Sequence, residues 1–417
     1  MPIIAPETQI DGYKVDHRRQ YPAGTQVIAS NLTARGTRRS GVDKVVFFGL
    51  QYFVKEYLIN QWNTNFFQQP LDTVIARFSR RINNYLGPNK VGVSHIAALH
   101  QLGYLPISIY ALPEGTQYKL RVPSLLIYNT LPEFFWLTNY LETILSTTVW
   151  GPCTSATTAF QYKKLLTRYA LETVGDASFV QWQGHDFSFR GMYGMEAALM
   201  SGGAHLTSFT GTDTIPAIDW LETCYGANSD KELIGGSVAA TEHSVACSTI
   251  LDFVNRVRGQ NGTLTEDALM DLADIEYVKH LITEVYPDGI VSIVADSFDY
   301  WNTITNTARV LKDVIIARNG KVVFRPDTGN PVRVVCGDLI ECLDGESYVT
   351  DLKKAGEWMA DGMTQDAANS AGHGERGAYS VTSYFTYQGK AYQIDVDIEW
   401  NRHDKQYYYM DGYSVKG

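Results

Sequence analysis

Val291-Ser-Ile-Val-Ala-Asp296 and, beyond an intervening helical stretch, Val322-Val-Phe-Arg325-Pro-Asp327 are short runs of apolar, mostly β-branched residues that each close on a charged turn. Such runs read as buried strands whose carboxyl ends carry polar groups. His205-Leu-Thr-Ser-Phe-Thr-Gly-Thr-Asp213 ends the same way. Apolar spacing predicts strands at 179–182, 206–209, 290–295 and 322–324, with helices at 191–201, 216–224, 242–258, 266–285 and 305–317. Repeated strand then helix implies an α/β fold, a parallel sheet covered by helices, open or closed as a barrel. In such folds several turns converge at the carboxyl ends of the strands and build the site there. Asp213, Asp296, Arg325 and Asp327 are therefore the leading candidates, although an Asp before a helix is also an ordinary cap.

Upstream, the pattern predicts a strand at 27–32, helices at 43–62 and 71–86, strands at 107–111, 118–122 and 125–128, and helices at 133–146 and 153–173. Downstream, 364–377 reads as a loop, and 379–387, 391–400 and 406–409 alternate polar with apolar residues, with a hairpin turn at Gln388-Gly389. The expected organisation is a mixed α+β domain over 1–150, an α/β domain over 151–338 and a β-rich antiparallel appendage over 339–417.

The 417 residues are 45% hydrophobic, 19% charged and 12% aromatic, which argues for a packed interior and against disorder. The net charge of −10 argues against general binding to a nucleic-acid backbone, so an anionic substrate must meet local arginines. Acid is concentrated from Cys336 onward, where 14 Asp/Glu face 7 Lys/Arg. Five scattered cysteines make neither a disulfide framework nor a Cys-x-x-Cys zinc site. The first residues lack a secretory pattern, and the longest apolar run, 45–50, is too short to span a bilayer. A soluble, cytoplasmic protein is expected.

Two further stretches carry chemistry. His185-Asp-Phe-Ser-Phe-Arg190-Gly joins a cation to an aromatic, and Ser237-Val-Ala-Ala-Thr-Glu242-His243-Ser opens a helix with a hydroxyl, a carboxylate and an imidazole. His243 could be a zinc ligand, a general base, a phosphoryl acceptor or a cap; spacing does not choose. A hydrolytic metal cluster of Asp213, His243, Asp296 and Asp327 lacks any His-x-His or His-Glu-x-x-His pair. His95 and His100 read as structural, and the Arg18-Arg19 and Arg38-Arg39 pairs as solvated surface.

Asp11-Gly-Tyr13-Lys14 with His17 and Gln20-Tyr-Pro, then Phe47-Phe-Gly-Leu-Gln-Tyr, His185-Asp-Phe-Ser-Phe-Arg-Gly, Gly211-Thr-Asp-Thr, Ser237-Val-Ala-Ala-Thr-Glu-His-Ser, Ala295-Asp-Ser-Phe-Asp and Arg325-Pro-Asp-Thr-Gly-Asn-Pro occur in that order. The series, covering about residues 5 to 338, resembles the nicotinamide phosphoribosyltransferase family in its phage and bacterial versions. The resemblance implies an irregular barrel of the type II phosphoribosyltransferase kind, and a reaction in which nicotinamide and phosphoribosyl pyrophosphate give nicotinamide mononucleotide and pyrophosphate. It implies a head-to-tail homodimer with shared sites, Phe187 stacking on one face of the pyridine ring and Tyr13 of the partner subunit on the other. Asp213 would accept from the carboxamide and repel the carboxylate of nicotinic acid. Ser237, Val238, Ala240 and Ser292 would line the base pocket or its rear channel. Arg325 would hold the carboxamide or phosphate side, Arg190 and partner-chain Arg35 the phosphates, Asp327 the ribose, and Asp296 with Mg2+ the pyrophosphate. His243 would take a phosphoryl group from ATP, oriented by Glu242, with Asp11 in support.

The family continues past the Arg-Pro-Asp segment into strand-helix units that carry a ribose-binding Gly-Asp turn and a glycine cradle for the 5′-phosphate. Neither Cys336-Gly-Asp338 nor Gly372-His-Gly374 has the strand and helix that such a cradle needs. Residues 339–417 resemble instead the insert that longer family versions carry at this point. The expectation is the first part of a divided enzyme, completed by a separate C-terminal polypeptide. The alternatives are an inactive nicotinamide-binding or regulatory remnant, and a nicotinate phosphoribosyltransferase.

Overall fold

The computed structural model describes residues 4–260, 263–327, 329 and 334, and beyond them only strand backbones between 338 and 416. The chain forms two compact units, Met1–Ser237 and Val238–Gly417, both mixed in helix and strand.

In the first unit an antiparallel sheet joins β1 (Ala29–Thr33), β3 (Ile107–Ala111) and β5 (Pro123–Asn129) in the order β1-β5-β3, and β2 (Lys44–Val46) pairs with β4 (Gln117–Lys119). The expected helix at 43–62 therefore begins later. Val45 and Val46 suit a strand, and Gly49, at φ +106°, turns the chain before a helical run from Leu50 that is wound largely with π turns. The helix Leu71–Leu86 buries Val74, Phe78 and Ile82, four residues apart on one face, and ends at Gly87. These side chains join Phe47, Phe53, Trp62, Phe66, Ile96, Leu99, Leu137 and Leu141 in the main core. Each fully buried side chain of this size contributes about 1.5–3 kcal/mol.

The two helices expected at 133–146 and 153–173 are one, Leu137–Thr173, with Pro152 inside it and the expected domain boundary at 150/151 within its span. An interior proline costs about 3 kcal/mol. Burial of Leu145, Val149, Pro152, Cys153 and Ala156 along the same stretch outweighs that cost. A Cβ on Gly49 would stand 2.9 Å from Pro152 Cβ, so glycine there makes room for the proline.

The strands expected at 179–182 and 206–209 are turns; the strands are β6 (His185–Asp186) and β7 (Gly211–Thr212), paired in parallel. Two-residue strands have no periodicity to read. Between them the helix Met195–His205 starts four residues later than expected and is followed by Pro216–Tyr225. Burial pushes His95 down to about 4, with Arg18 adding to it, and His100 bonds the Gln69 carbonyl at 2.8 Å. Both are structural, as their sequence setting implies.

In the second unit β8 (Ala239–Ala240), β9 (Gly289–Val294) and β10 (Gly320–Arg325) form a parallel sheet in the order β10-β9-β8. The helices His243–Gln260 and Glu266–His280 bury Ile250, Val254, Leu269 and Tyr277 in a core with Val291 and Ile293. Further along, Gly377–Tyr387 pairs antiparallel with Lys390–Asn401, which also pairs with Gln406–Tyr409 and Ser414–Lys416; Asp338–Glu341 pairs with Ser347–Thr350. The Gln388-Gly389 turn, Gly372-His-Gly374 and most of the expected 364–377 loop lie outside the described residues. No helix among the described residues is long and apolar enough to cross a membrane.

Candidate functional site

In the first unit the site is built at the carboxyl ends of β6 and β7. Asp186, at the end of β6, is buried; its carboxylate accepts from Ser188 N at 3.0 Å and Thr214 Oγ1 at 2.7 Å. Burial alone would raise this carboxyl, but the hydrogen bonds from Thr214 and Ser188 overcome it and hold the group below the ordinary range. Fixed in this way, the turn presents Phe187, 58% exposed, and Arg190. Asp213 follows β7, its N–H bonded to the Asp186 carbonyl at 2.9 Å. The Asp213 carboxylate accepts on Oδ1 from His185 Nε2 at 2.7 Å and from Ser237 Oγ at 3.2 Å. Phe187, Phe189, Arg190 and Asp213 line a cleft of about 350 Å3.

In the second unit the ends of β8, β9 and β10 bring four predicted residues together. Asp296 follows β9 with its side chain 6% exposed, bonded through Oδ1 to His243 Nε2 at 3.2 Å and accepting on Oδ2 from Asp327 N at 3.2 Å. Arg325, the last residue of β10, pairs with Asp327 at 3.0 Å and donates to the Thr241 carbonyl at 3.1 Å, while its buried Nε has no hydrogen-bond partner among the described residues. His243 Nδ1 lies 3.8 Å from Asp327 Oδ2. Thr241 ties β8 to β9 through its own N–H to Ser292 O and its hydroxyl oxygen to Val294 N, both at 2.9 Å. Among the described residues no three His, Cys, Asp or Glu are placed to hold a metal ion.

Residues 7–109 match the family described as nicotinamide phosphoribosyltransferase, N-terminal domain, and residues 182–355 match the nicotinate phosphoribosyltransferase (NAPRTase) family. The chain is 46% identical over 346 residues to a nicotinamide phosphoribosyltransferase of Acinetobacter baylyi, covering 80% of this chain and 64% of that protein. It is 33% identical over 344 residues to one of Mycoplasma pneumoniae, covering 78% of this chain and 67% of that protein. This chain belongs to the nicotinamide phosphoribosyltransferase family. It spans about two thirds of the length of the curated relatives it matches. Human nicotinic acid phosphoribosyltransferase aligns with a TM-score of 0.46 at 15% identity over 76% of this chain and 61% of its own, too slight a likeness to carry an argument.

For this member of the nicotinamide phosphoribosyltransferase family, the other predicted residues fall as follows. Tyr13 is 67% exposed on the turn Gly12–Arg19, with its ring 5.4 Å from that of His17, and Arg35 is exposed beyond β1. Asp11 accepts from Thr143 Oγ1 at 2.7 Å. Val238 is 41% exposed, and Ala240 pairs in register with Ser292. Glu242 does not orient His243: its carboxylate accepts from Ser244, and Asp296 holds the imidazole. The Glu242 carboxylate reaches past its neighbour to the Ser244 hydroxyl two residues on, while the His243 ring is aimed across the strand ends at Asp296. Sequence reasoning missed His185 and Thr241. The pairing of His185 with Asp213 needs the parallel register of two two-residue strands, which no pattern in the chain announces.

Proposed function

We propose that the chain takes part in the transfer of a phosphoribosyl group from phosphoribosyl pyrophosphate to nicotinamide. The observation that carries the reading is Asp213 beside the exposed ring of Phe187 in a cleft with Arg190. An aromatic face suits a flat pyridine ring, and a fixed carboxylate accepts an amide N–H while repelling the carboxylate of nicotinic acid. Tyr13 of a partner subunit would cover the second ring face in a homodimer; its exposure supports that role. Arg190 and Arg35, both exposed, would meet the phosphates.

The ring nitrogen attacks C1 of the ribose as the bond from C1 to the pyrophosphate oxygen breaks, its electron pair leaving with pyrophosphate. Arg325 would support that departure, since its buried Nε, unpartnered among the described residues, is a donor that a phosphate or carboxamide oxygen would satisfy. Asp327 would accept from the ribose hydroxyls. Mg2+ is held through one or two carboxylates together with phosphates and water, a donor set that Asp296 fits; bound there, the ion would neutralise charge on the leaving group. One nitrogen of His243 is held against Asp296; the other, 3.8 Å from Asp327 Oδ2, would be the one to accept the terminal phosphoryl group of ATP, with ADP leaving. The parallel strands of both units support an irregular barrel, with residues 339–417 as an antiparallel appendage. The free thiols of Cys153, Cys224 and Cys247 suit the cytoplasm.

The test is formation of nicotinamide mononucleotide from nicotinamide and phosphoribosyl pyrophosphate by the purified protein. Product formation is expected. Binding of nicotinamide without turnover would leave a binding protein and overturn the transfer reading.

A further inference from the structure

His185 lies outside every role assigned above, yet it touches both elements of the base cleft. Its Nε2 bonds Asp213 Oδ1 at 2.7 Å, and its ring lies 4.5 Å from that of Phe187 at an angle of 34°. Gly211 makes this position reachable: a Cβ there would stand 2.7 Å from His185 Nδ1 and 3.1 Å from the Gly184 carbonyl. Any side chain at 211 would displace the imidazole. On its other side His185 borders a second cavity, of about 500 Å3, shared with Tyr162 and His205. The ring is therefore not wedged in place from behind, and the contacts with Asp213, Phe187 and Gly211 set its position.

From this geometry we infer that His185, seated on Gly211, is the positioning residue for carboxamide recognition, holding Asp213 by Oδ1 so that Oδ2 is presented to the amide. The inference rests on the nicotinamide reading. The carboxylate sits on an exposed turn, 46% accessible, and would otherwise rotate; an acceptor fixed in advance costs less to order when the ligand arrives. Ser237 adds a second donor to the same oxygen at 3.2 Å, so that among the described residues both donors meet Oδ1 and Oδ2 is the acceptor available to a ligand.

The test is calorimetric binding of nicotinamide and of nicotinate to the full chain and to His185→Phe, His185→Gln, Gly211→Ala and Asp213→Ala. His185→Phe keeps a ring against Phe187 but donates nothing; His185→Gln keeps an N–H donor. We expect His185→Phe and Gly211→Ala to weaken nicotinamide about tenfold while leaving nicotinate unchanged, and His185→Gln to recover most of the loss. Equal weakening of both ligands, or a preference unaltered in His185→Phe, overturns the positioning role. If Asp213→Ala abolishes the preference while His185→Phe and Gly211→Ala leave it intact, only this inference falls. If Asp213→Ala also leaves it intact, or the wild-type chain binds neither ligand, the base reading falls and this inference with it.

Discussion

The two units each place a histidine against an aspartate at the carboxyl end of parallel strands, and what surrounds the pair differs. In the first, His185 and Asp213 stand beside the rings of Phe187 and Phe189 with one arginine. In the second, His243 and Asp296 meet Asp327 and Arg325. Further carboxylates stand behind that turn: Asp271 accepts from Asn302, and Asp274 accepts from Thr303 at 3.0 Å and Thr307 at 2.6 Å. A carboxylate framed by rings selects a flat, neutral base; carboxylates interleaved with a guanidinium suit hydroxyls, phosphates and a divalent ion. The same pair of residue types thus takes its chemistry from its neighbours.

Substitutions should separate the two environments. Asp296→Asn should lower the transfer rate a hundredfold to a thousandfold, roughly what removing one transition-state electrostatic contact costs, while the nicotinamide dissociation constant stays unchanged. Parallel losses in rate and nicotinamide affinity would erase the division of labour.

Asp274 tests the acidic backing. Burial, followed by the charges of Asp271 and Asp299, raises its carboxyl to about 6 against the lowering effect of Thr303 and Thr307. A raised carboxyl contributes stability below its unfolded value of 3.8, and that contribution is lost as pH rises through about 6. The stability of wild type relative to Asp274→Asn should therefore fall by about 2–3 kcal/mol between pH 4 and pH 8. Urea midpoints of the two proteins that run parallel across this range would remove the acidic strain.

Arg325→Ala should weaken phosphoribosyl pyrophosphate about thirtyfold, since it removes a charged donor. A competition assay with pyrophosphate measures this. Asp213→Ser should bring the smallest change, a shift of about tenfold in relative affinity toward nicotinate. No shift would mean that the carboxylate does not read the amide.

Much of the frame is legible from the chain. The helix Leu71–Leu86 and the strand Ile107–Ala111 fall at the predicted residues because their apolar spacing is regular over enough length to fix one face. Asp296, Arg325 and Asp327 could be picked as strand-end residues because β9 and β10 are long enough to show as apolar runs. The stretch from 179 to 213 resisted the same reading, since Val180 and Phe209 are buried apolar residues on turns that flank strands too short for a pattern. The continuity of Leu137–Thr173 through Pro152 likewise depended on Gly49, which is remote in sequence.

The order of the motifs, the charge balance and the strand-end residues were written in the chain itself, because each depends on residues close together along it. Which histidine meets which aspartate was decided by the fold: His185 and Asp213 are 28 positions apart, and His243 and Asp296 are 53 apart. In both cases parallel strand pairing brings the distant groups to within hydrogen-bonding reach, and β6, β7 and β8, two residues each, are too short for an apolar pattern to fix their register in advance.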